Sequence, residues 1–321
     1  MAQSISSNYT GHVWEGITMS LLQGIDIWDK NLASLIVEFN NSIYLPNIEV
    51  SGTIDQAFDP ASVASGTAGT LAYTEVELAT TDRSVKIGNI LPNAWRAVWR
   101  EFAPSPTEAF DQMMLNSKIR DAFVMRVLQK TQEVNSFNIW QGDTVTTGAT
   151  YANYDGLVKK VVDTAGTIDA TTTGAATFTS SNVAGYMASV YDSLVAQPAL
   201  KSKTNVKMIV SHLTKSLYQD SEIATSGKGP LYSQLGDTGS MFKDVAVEAS
   251  NGFPDNFILC TYTSTDPFDS TLHVGMRNRN DIDNYQFGQM ADGSLYWFLR
   301  LDYSIGTQVT NPANIIYFDA R

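Results

Sequence analysis

The positions Phe110, Met113, Met114, Ser117, Arg120/Asp121, Val124, Val127/Leu128 and Val134 recur at three and four, most of them hydrophobic, and neither proline nor glycine interrupts the run before Gly142. This period predicts one unbroken amphipathic helix. Ser105, Pro106, Thr107 and Glu108 mark its start: a capping serine, a proline at the first helical position and a glutamate three residues after the cap. Lys118, Arg120, Arg126 and Lys130 punctuate its polar side. At 1.5 Å per residue a helix over 105–141 would run roughly 50 Å, so the rest of the chain is expected to lie along it rather than enclose it.

Elsewhere the period changes. Between Leu45 and Asp82 two extended limbs flank a tip of small residues at 59–69, and the return limb alternates Val76 and Leu78 with Glu75 and Glu77. That is the pattern of a long β-hairpin with one solvated side. Residues 85–90 continue as a strand, and 92–102 read as a short helix with Trp95, Trp99 and Phe102 on one face and Arg96 and Arg100 on the other, a packing stripe rather than a base-stacking platform. Further on, Ser181 is expected to cap a helix carrying Val183, Met187, Val190 and Leu194. An apolar strand at 206–210 and a short helix at 213–218 follow, which together suggest an α/β subdomain over about 150–260. The last stretch reads as strands at 257–261, 272–274, 283–288, 295–303 and 314–318. In the fourth of these Leu295, Trp297, Leu299 and Leu301 alternate with Tyr296, Phe298, Arg300 and Asp302, which suits a sheet packed on the long helix. Residues 1–44 contain spaced aromatics and one moderately apolar stretch, Ala33–Val37. They read as an arm that must dock on other parts of the fold or on a neighbouring chain.

Composition narrows the function classes. At 321 residues and 43% hydrophobic, the chain can bury a substantial core. Its formal charge of -12 argues against a sequence-independent nucleic-acid binder, which needs a basic surface to neutralise phosphates. Cys260, the single cysteine, lies in the apolar run Phe257-Ile258-Leu259-Cys260 and reads as a small core residue. The start lacks the basic and apolar regions of a secretory signal, and no stretch reaches the ~20 apolar residues that span a bilayer, so a soluble protein made in a cytosol is expected.

Candidate chemistry is sparse. His12, His212 and His273 lie far apart with no companions at metal-ligand spacing, and they are expected to be individually replaceable. Asp281-Ile282-Asp283-Asn284 lacks the downstream glycine and glutamate of a calcium loop, and Ser226-Gly227-Lys228-Gly229 lacks the flanking strand and helix of a phosphate loop. No Gly-x-Ser-x-Gly elbow or dinucleotide fingerprint occurs. Neither an enzyme nor a cofactor is expected.

The order of elements is itself informative: aromatic arm, long hairpin, tryptophan helix, long helix, α/β subdomain, carboxy-terminal strands. With Gly252-Phe253-Pro254-Asp255-Asn256 before an apolar strand and then Leu272-His273-Val274-Gly275-Met276, it resembles the major capsid protein of tailed bacteriophages. The resemblance implies an α+β chain with the Hong Kong 97 fold: an amino-terminal arm (1–44), an extended loop (45–82), a peripheral domain (83–149) with a spine helix (105–141), and an axial domain (150–260). The strands of 261–321 would largely return to the peripheral domain. The implied function is self-assembly, as hexamers and pentamers, into the icosahedral shell of a tailed double-stranded DNA phage. Implied partners are copies of the chain in capsomers, portal, scaffold or decoration proteins, and packaged DNA held without sequence specificity; no membrane is implied. The protein would be made in the bacterial host cytoplasm and reside in the virion. The alternative is an encapsulin-like compartment shell, which shares the fold. Candidate subunit-interface residues are Trp14, Trp28, Phe39, Val76 and Leu78, because the arm and the hairpin have too little apolar surface to form cores of their own.

Some members of that family join a lysine of the extended loop covalently to an asparagine of a neighbour. No lysine occurs between Asn31 and Val85, so this loop has no amine to give. Assembled particles boiled in detergent are expected to release one band near 35.1 kDa. A ladder of multiples that resists boiling and reductant would contradict this.

Overall fold

The computed structural model describes residues 6–8, 26–37, 39, 42–51, 70–90, 117–145, 151–226, 241–267, 270–277, 285–289 and 297–321. The expected helix start at 105–108, the tryptophan helix, the hairpin tip, His12 and Trp14 lie outside these residues. In chain order the elements are β1 (Ser6–Asn8), α1 (Asp26–Asp29), β2 (Ser34–Val37), β3 (Ser42–Ser51), β4 (Thr70–Ala79), β5 (Thr81–Ile90), the long helix α2 (Ser117–Gln141) and α3 (Leu157–Asp163). Then follow β6 (Ile168–Asp169), α4 (Val183–Val195), α5 (Pro198–Lys201), β7 (Val206–Val210), α6 (His212–Ser226), β8 (Met241–Phe242) and β9 (Val245–Ala249). The last strands are β10 (Phe257–Tyr262), β11 (Leu272–Arg277), β12 (Tyr285–Gln289), β13 (Trp297–Val309) and β14 (Ile315–Asp319).

The described strands form two six-stranded sheets and a separate ribbon. The first sheet runs β1-β12-β13-β11-β2, with β5 also paired to β13; the second runs β6-β14-β10-β7-β9-β8; the ribbon is β3 with β4. Thirteen residues long, β13 is the spine of the first sheet, because it takes β12, β5 and β11 as antiparallel partners along its length. β2 lies at the edge, parallel to β11, so the apolar stretch of the expected arm is a strand of the main fold.

The second sheet is buried on both faces, which is why β10 is apolar without alternation. Phe257 and Leu259 of β10, with Ile209, Ile315 and Tyr317, enter a first core that also holds Val127, Leu128, Ile139 and Trp140 of α2 and Leu299, Leu301 and Ile305 of β13. Their neighbours Ile258 and Cys260, with Met208, Val210, Ile316 and Phe318, enter a second core closed by Val183, Met187, Val190 and Leu194 of α4. The two sheets and the long helix thus share one apolar interior. α3, which lies after the sequence boundary at 150, buries Leu157, Val158 and Val161 in the first core. The helix expected from Ser181 begins at Val183; the Ser181 hydroxyl instead meets that of Thr179, and Asn182 Oδ1 accepts from the Thr179 amide.

Toward its end α2 buries polar residues as well as apolar ones: Thr131, Asn135, Ser136 and Asn138 are all buried. Thr131, Ser136 and Asn138 donate to carbonyls of their own helix, and Asn135 Oδ1 accepts from the Tyr303 hydroxyl at 2.8 Å, so most of their polarity is satisfied locally. The helix stops at Gly142, where backbone segments crowd together. A β-carbon on Gly142 would lie 2.1 Å from the Tyr154 carbonyl oxygen, one on Gly156 2.6 Å from the Gly142 nitrogen, and one on Gly252 2.5 Å from the Ser136 carbonyl oxygen. Gly252 also has φ of +77°, a left-handed conformation that glycine adopts without steric cost. Hydrogen bonds complete the junction. Trp140 Nε1 donates to Ser250 Oγ, Ser250 to Asp26 Oδ1, and the Asn251 amide and Lys30 Nζ to Asp26 Oδ2.

Gly252→Ala is therefore expected to cost at least about 2 kcal/mol, from strain at positive φ and the clash with α2 together. Chemical denaturation of the purified variant checks it; a change under about 0.5 kcal/mol would show that the turn can move aside.

Candidate assembly surfaces

Among the described residues no group of three or more His, Cys, Asp or Glu side chains could hold a metal ion. A depression of about 150 Å³ lies between α4, α5 and β9, lined by Tyr191, Lys201, Lys203, Thr204 and Asp244 among others. It is smaller than the roughly 300–1,000 Å³ of ordinary small-molecule sites. Two of its polar groups engage each other, since Tyr191 hydrogen-bonds Asp244. Cys260 is wholly buried, and burial pushes its thiol up to about 12, the behaviour of a core residue rather than a nucleophile. No helix among the described residues is long and apolar enough to cross a membrane.

The histidines divide. His212 is exposed at the start of α6. His273 is fully buried in β11, with Nδ1 2.6 Å from Ser34 Oγ of β2 and Nε2 2.8 Å from Thr310 Oγ1 beyond β13. Sequence spacing could not reveal this, because its partners are hydroxyls 239 and 37 residues away.

Of the described surfaces, the ribbon is the least enclosed. Ten residues of β3 pair with ten of β4, about 30 Å of strand, in a sheet of two. At its base it is anchored. Gly306 of β13 meets the Ala79 backbone so closely that a β-carbon would lie 2.1 Å from its oxygen, and Gln308 Nε2 donates to the Glu77 carbonyl. There Ile43, Leu45 and Leu78 turn inward with Ile36 and Phe39 to make a third, small core over Gly275.

The candidate interface residues therefore separate. Leu78 is 0% exposed, enclosed within its own chain. The sequence read its face correctly as apolar, but the first sheet covers it. Phe39 is half-buried in the same cluster, Trp28 half-buried against the first core, and Val76 half-buried on the ribbon. Two further aromatics stand out on the ribbon. Tyr44 and Tyr73 are 59% and 58% exposed on β3 and β4. The pairing of Tyr44 with Glu77, and of Ile48 with Tyr73, puts them by strand alternation on the ribbon face opposite Leu45, Val76 and Leu78. Their mixture with Glu75 and Glu77 hid this second aromatic face in the sequence.

No protein-family model and no curated protein matches the chain. Solved structures do. The satellite phage P4 procapsid that includes its size determination protein is similar over 96% of this chain and 99% of that one, at 11% identity and a TM-score of 0.54. The capsid of an empty GTA particle covers 99% of this chain and 93% of its own, at 12% identity and a TM-score of 0.54. The capsid of Myoviridae phage XM1 covers 92% and 91%, at 10% identity and a TM-score of 0.52. At such identities the likeness is one of fold, and it extends over nearly the whole chain: the chain has the mixed α/β fold of phage capsid structures.

The partition of the ribbon is testable on the unassembled chain. Leu78→Ala is expected to lower stability by roughly 2–4 kcal/mol, because it empties a closed cluster. Tyr73→Ala should change it by no more than about 0.5 kcal/mol, because its ring is exposed and its hydroxyl bonds only Glu75 two residues away. Urea unfolding of both variants checks this; equal losses would mean the distal ribbon is packed within the subunit.

Proposed function

We propose that this protein is a major capsid subunit that assembles, as hexamers and pentamers with the Hong Kong 97 arrangement, into the icosahedral shell of a tailed phage. One observation carries the reading: a ribbon of two strands, about 30 Å long, that carries aromatic residues on its exposed face. An isolated two-stranded hairpin is marginal in water. A chain that keeps one at this length has use for a neighbour to cover it, and symmetric assembly supplies the same neighbour to every copy. The capsid fold shared with the solved structures supports the same reading.

On this reading α2 is the spine helix of the peripheral domain, together with the first sheet. The second sheet with α4 and α6 is the axial domain, and the ribbon is the extended loop. Residues 1–25, with Trp14, act as an arm between subunits, whereas Trp28 lies against the first core; Tyr44 and Tyr73 face the ribbon contact, with Phe39 and Val76 on its other side. The shell would enclose double-stranded DNA without binding it strongly, in keeping with a chain of charge -12, and would engage portal, scaffold or decoration proteins.

The experiment is expression of the chain with its cognate assembly partners, followed by negative-stain microscopy. Regular closed particles are expected, and a permanently monomeric 35.1 kDa protein would overturn the reading. Deleting residues 1–25, or replacing 52–75 with a short glycine-containing turn, should leave circular dichroism largely unchanged while abolishing regular shells. Normal assembly by both deletions would remove the arm and the ribbon as fasteners.

A further inference from the structure

The chain contains a single Asn-Gly step, Asn251-Gly252, and it lies in the turn packed against α2. Such a step carries its own chemistry. The backbone nitrogen of the second residue can attack the side-chain carbonyl carbon of the first, and glycine alone leaves that nitrogen without a neighbouring β-carbon to shield it. Asn251 is exposed, so water reaches its carboxamide.

The turn opposes this attack. The Phe253 amide donates to the Ser250 carbonyl at 3.3 Å, Asn251 lies outside the left-handed region, and Gly252 has φ of +77°; together these define a type II turn with Asn251 second and Gly252 third. Ring closure requires the Gly252 nitrogen to eclipse the β-carbon of Asn251, whereas the type II turn holds ψ of Asn251 at about +120°, roughly a third of a turn away. Both flanks are pinned. The Asn251 amide donates to Asp26 Oδ2 at 2.9 Å, and the Gly252 carbonyl accepts from Gln141 Nε2 at 2.6 Å. Gly252 packs on Ser136 and Phe137 without room for a β-carbon, so the peptide plane between Asn251 and Gly252 has little space to swing until the turn lifts from the helix.

We propose that Asn251 is a self-modification site held shut by this junction: when the turn lifts from α2 the Gly252 nitrogen closes on Asn251 Cγ, and the isoaspartate that follows cannot re-enter the closed turn. The bond from the Gly252 nitrogen to Cγ forms as the Cγ–Nδ2 bond breaks, and the Gly252 amide proton leaves with that nitrogen as ammonia. Water then opens the succinimide at either carbonyl, giving aspartate on the original chain path or isoaspartate, in which the main chain runs through Cγ. Nothing is oxidised or reduced. Isoaspartate inserts an extra methylene into the main chain beside Gly252, where a single β-carbon would already lie 2.5 Å from the Ser136 carbonyl oxygen. Opening thus becomes permanent in any chain that completes the reaction to this product. The proposal concerns the single chain and does not depend on the shell reading.

Peptide mapping by mass spectrometry, with fragmentation that distinguishes isoaspartate from aspartate, tests it on the full, unassembled chain aged at mildly alkaline pH in buffer and in unfolding urea. Conversion at 251 should be slower in buffer by about a hundredfold or more, because attack waits on opening of a junction in the core. Asp26→Ala releases the Asn251 amide without altering the reacting pair, so it should speed conversion in buffer roughly tenfold and leave the rate in urea unchanged. Should that variant not fold, the unaltered chain gives a second measurement: after ageing in urea and refolding, isoaspartate at 251 should be depleted from the folded fraction while aspartate is retained. Equal conversion in buffer and urea, an unchanged rate in folded Asp26→Ala, or isoaspartate carried undiminished into the refolded fraction would each overturn the proposal.

Discussion

The architecture depends on how closely three turns can approach the end of one helix. α2 enters the space between two sheets, and its last residues, Ile139 and Trp140, are fully buried. Gly142, Gly156 and Gly252 let backbone segments lie against it where a single methyl group would overlap main-chain atoms. Because interiors are close-packed, this approach sets the distance between the sheets. Trp140 then fixes its rotation twice over, edge-on to Phe253 with ring centres 4.9 Å apart and bonded to Ser250 through Nε1. Through Ser250 and Asn251 the same junction captures Asp26, so the first described helix of the chain, a turn at the second sheet and the long helix meet at one carboxylate.

Stability is graded outward from that junction. β10 and β14 lie in a sheet covered on both faces, whereas among the described residues β2 sits at an edge and the ribbon has no third strand. Apolar contacts and backbone pairing both thin out in that direction, so local opening is least costly at the appendages and most costly at the centre. Opening at the appendages therefore need not disturb the body that carries them.

The parts of this plan that were legible in the sequence were those with an uninterrupted local period. The end of the long helix was set by Gly142, the hairpin by alternation around Val76 and Leu78, and β10 by a continuous apolar run. What escaped was carried by long-range pairing. Nothing around Ser34 announces a partner at His273, and nothing around Asp26 announces Ser250. Asn135 and Asn138 look solvent-facing by composition, yet one meets Tyr303 of a distant strand and the other turns back on its own helix. The face of the hairpin was read correctly and its neighbour was not, since a periodicity shows that a side is apolar without showing what covers it.

That last distinction bears on how the ribbon can act as a contact. At the base its apolar face is already covered by the chain's own first sheet, which anchors the ribbon through Gly306 and Gln308. The exposed tyrosines lie on the opposite face. A flexible loop would pay a large ordering entropy on docking, but a ribbon held at its root arrives with its direction set and little left to order. Two-sided construction therefore separates the two faces: Leu78 holds the ribbon to its own chain, and Tyr44 and Tyr73 stay exposed. On the shell reading, residues that fasten subunits should be sought on the exposed face, while substitutions on the buried face should fail through folding before assembly is attempted.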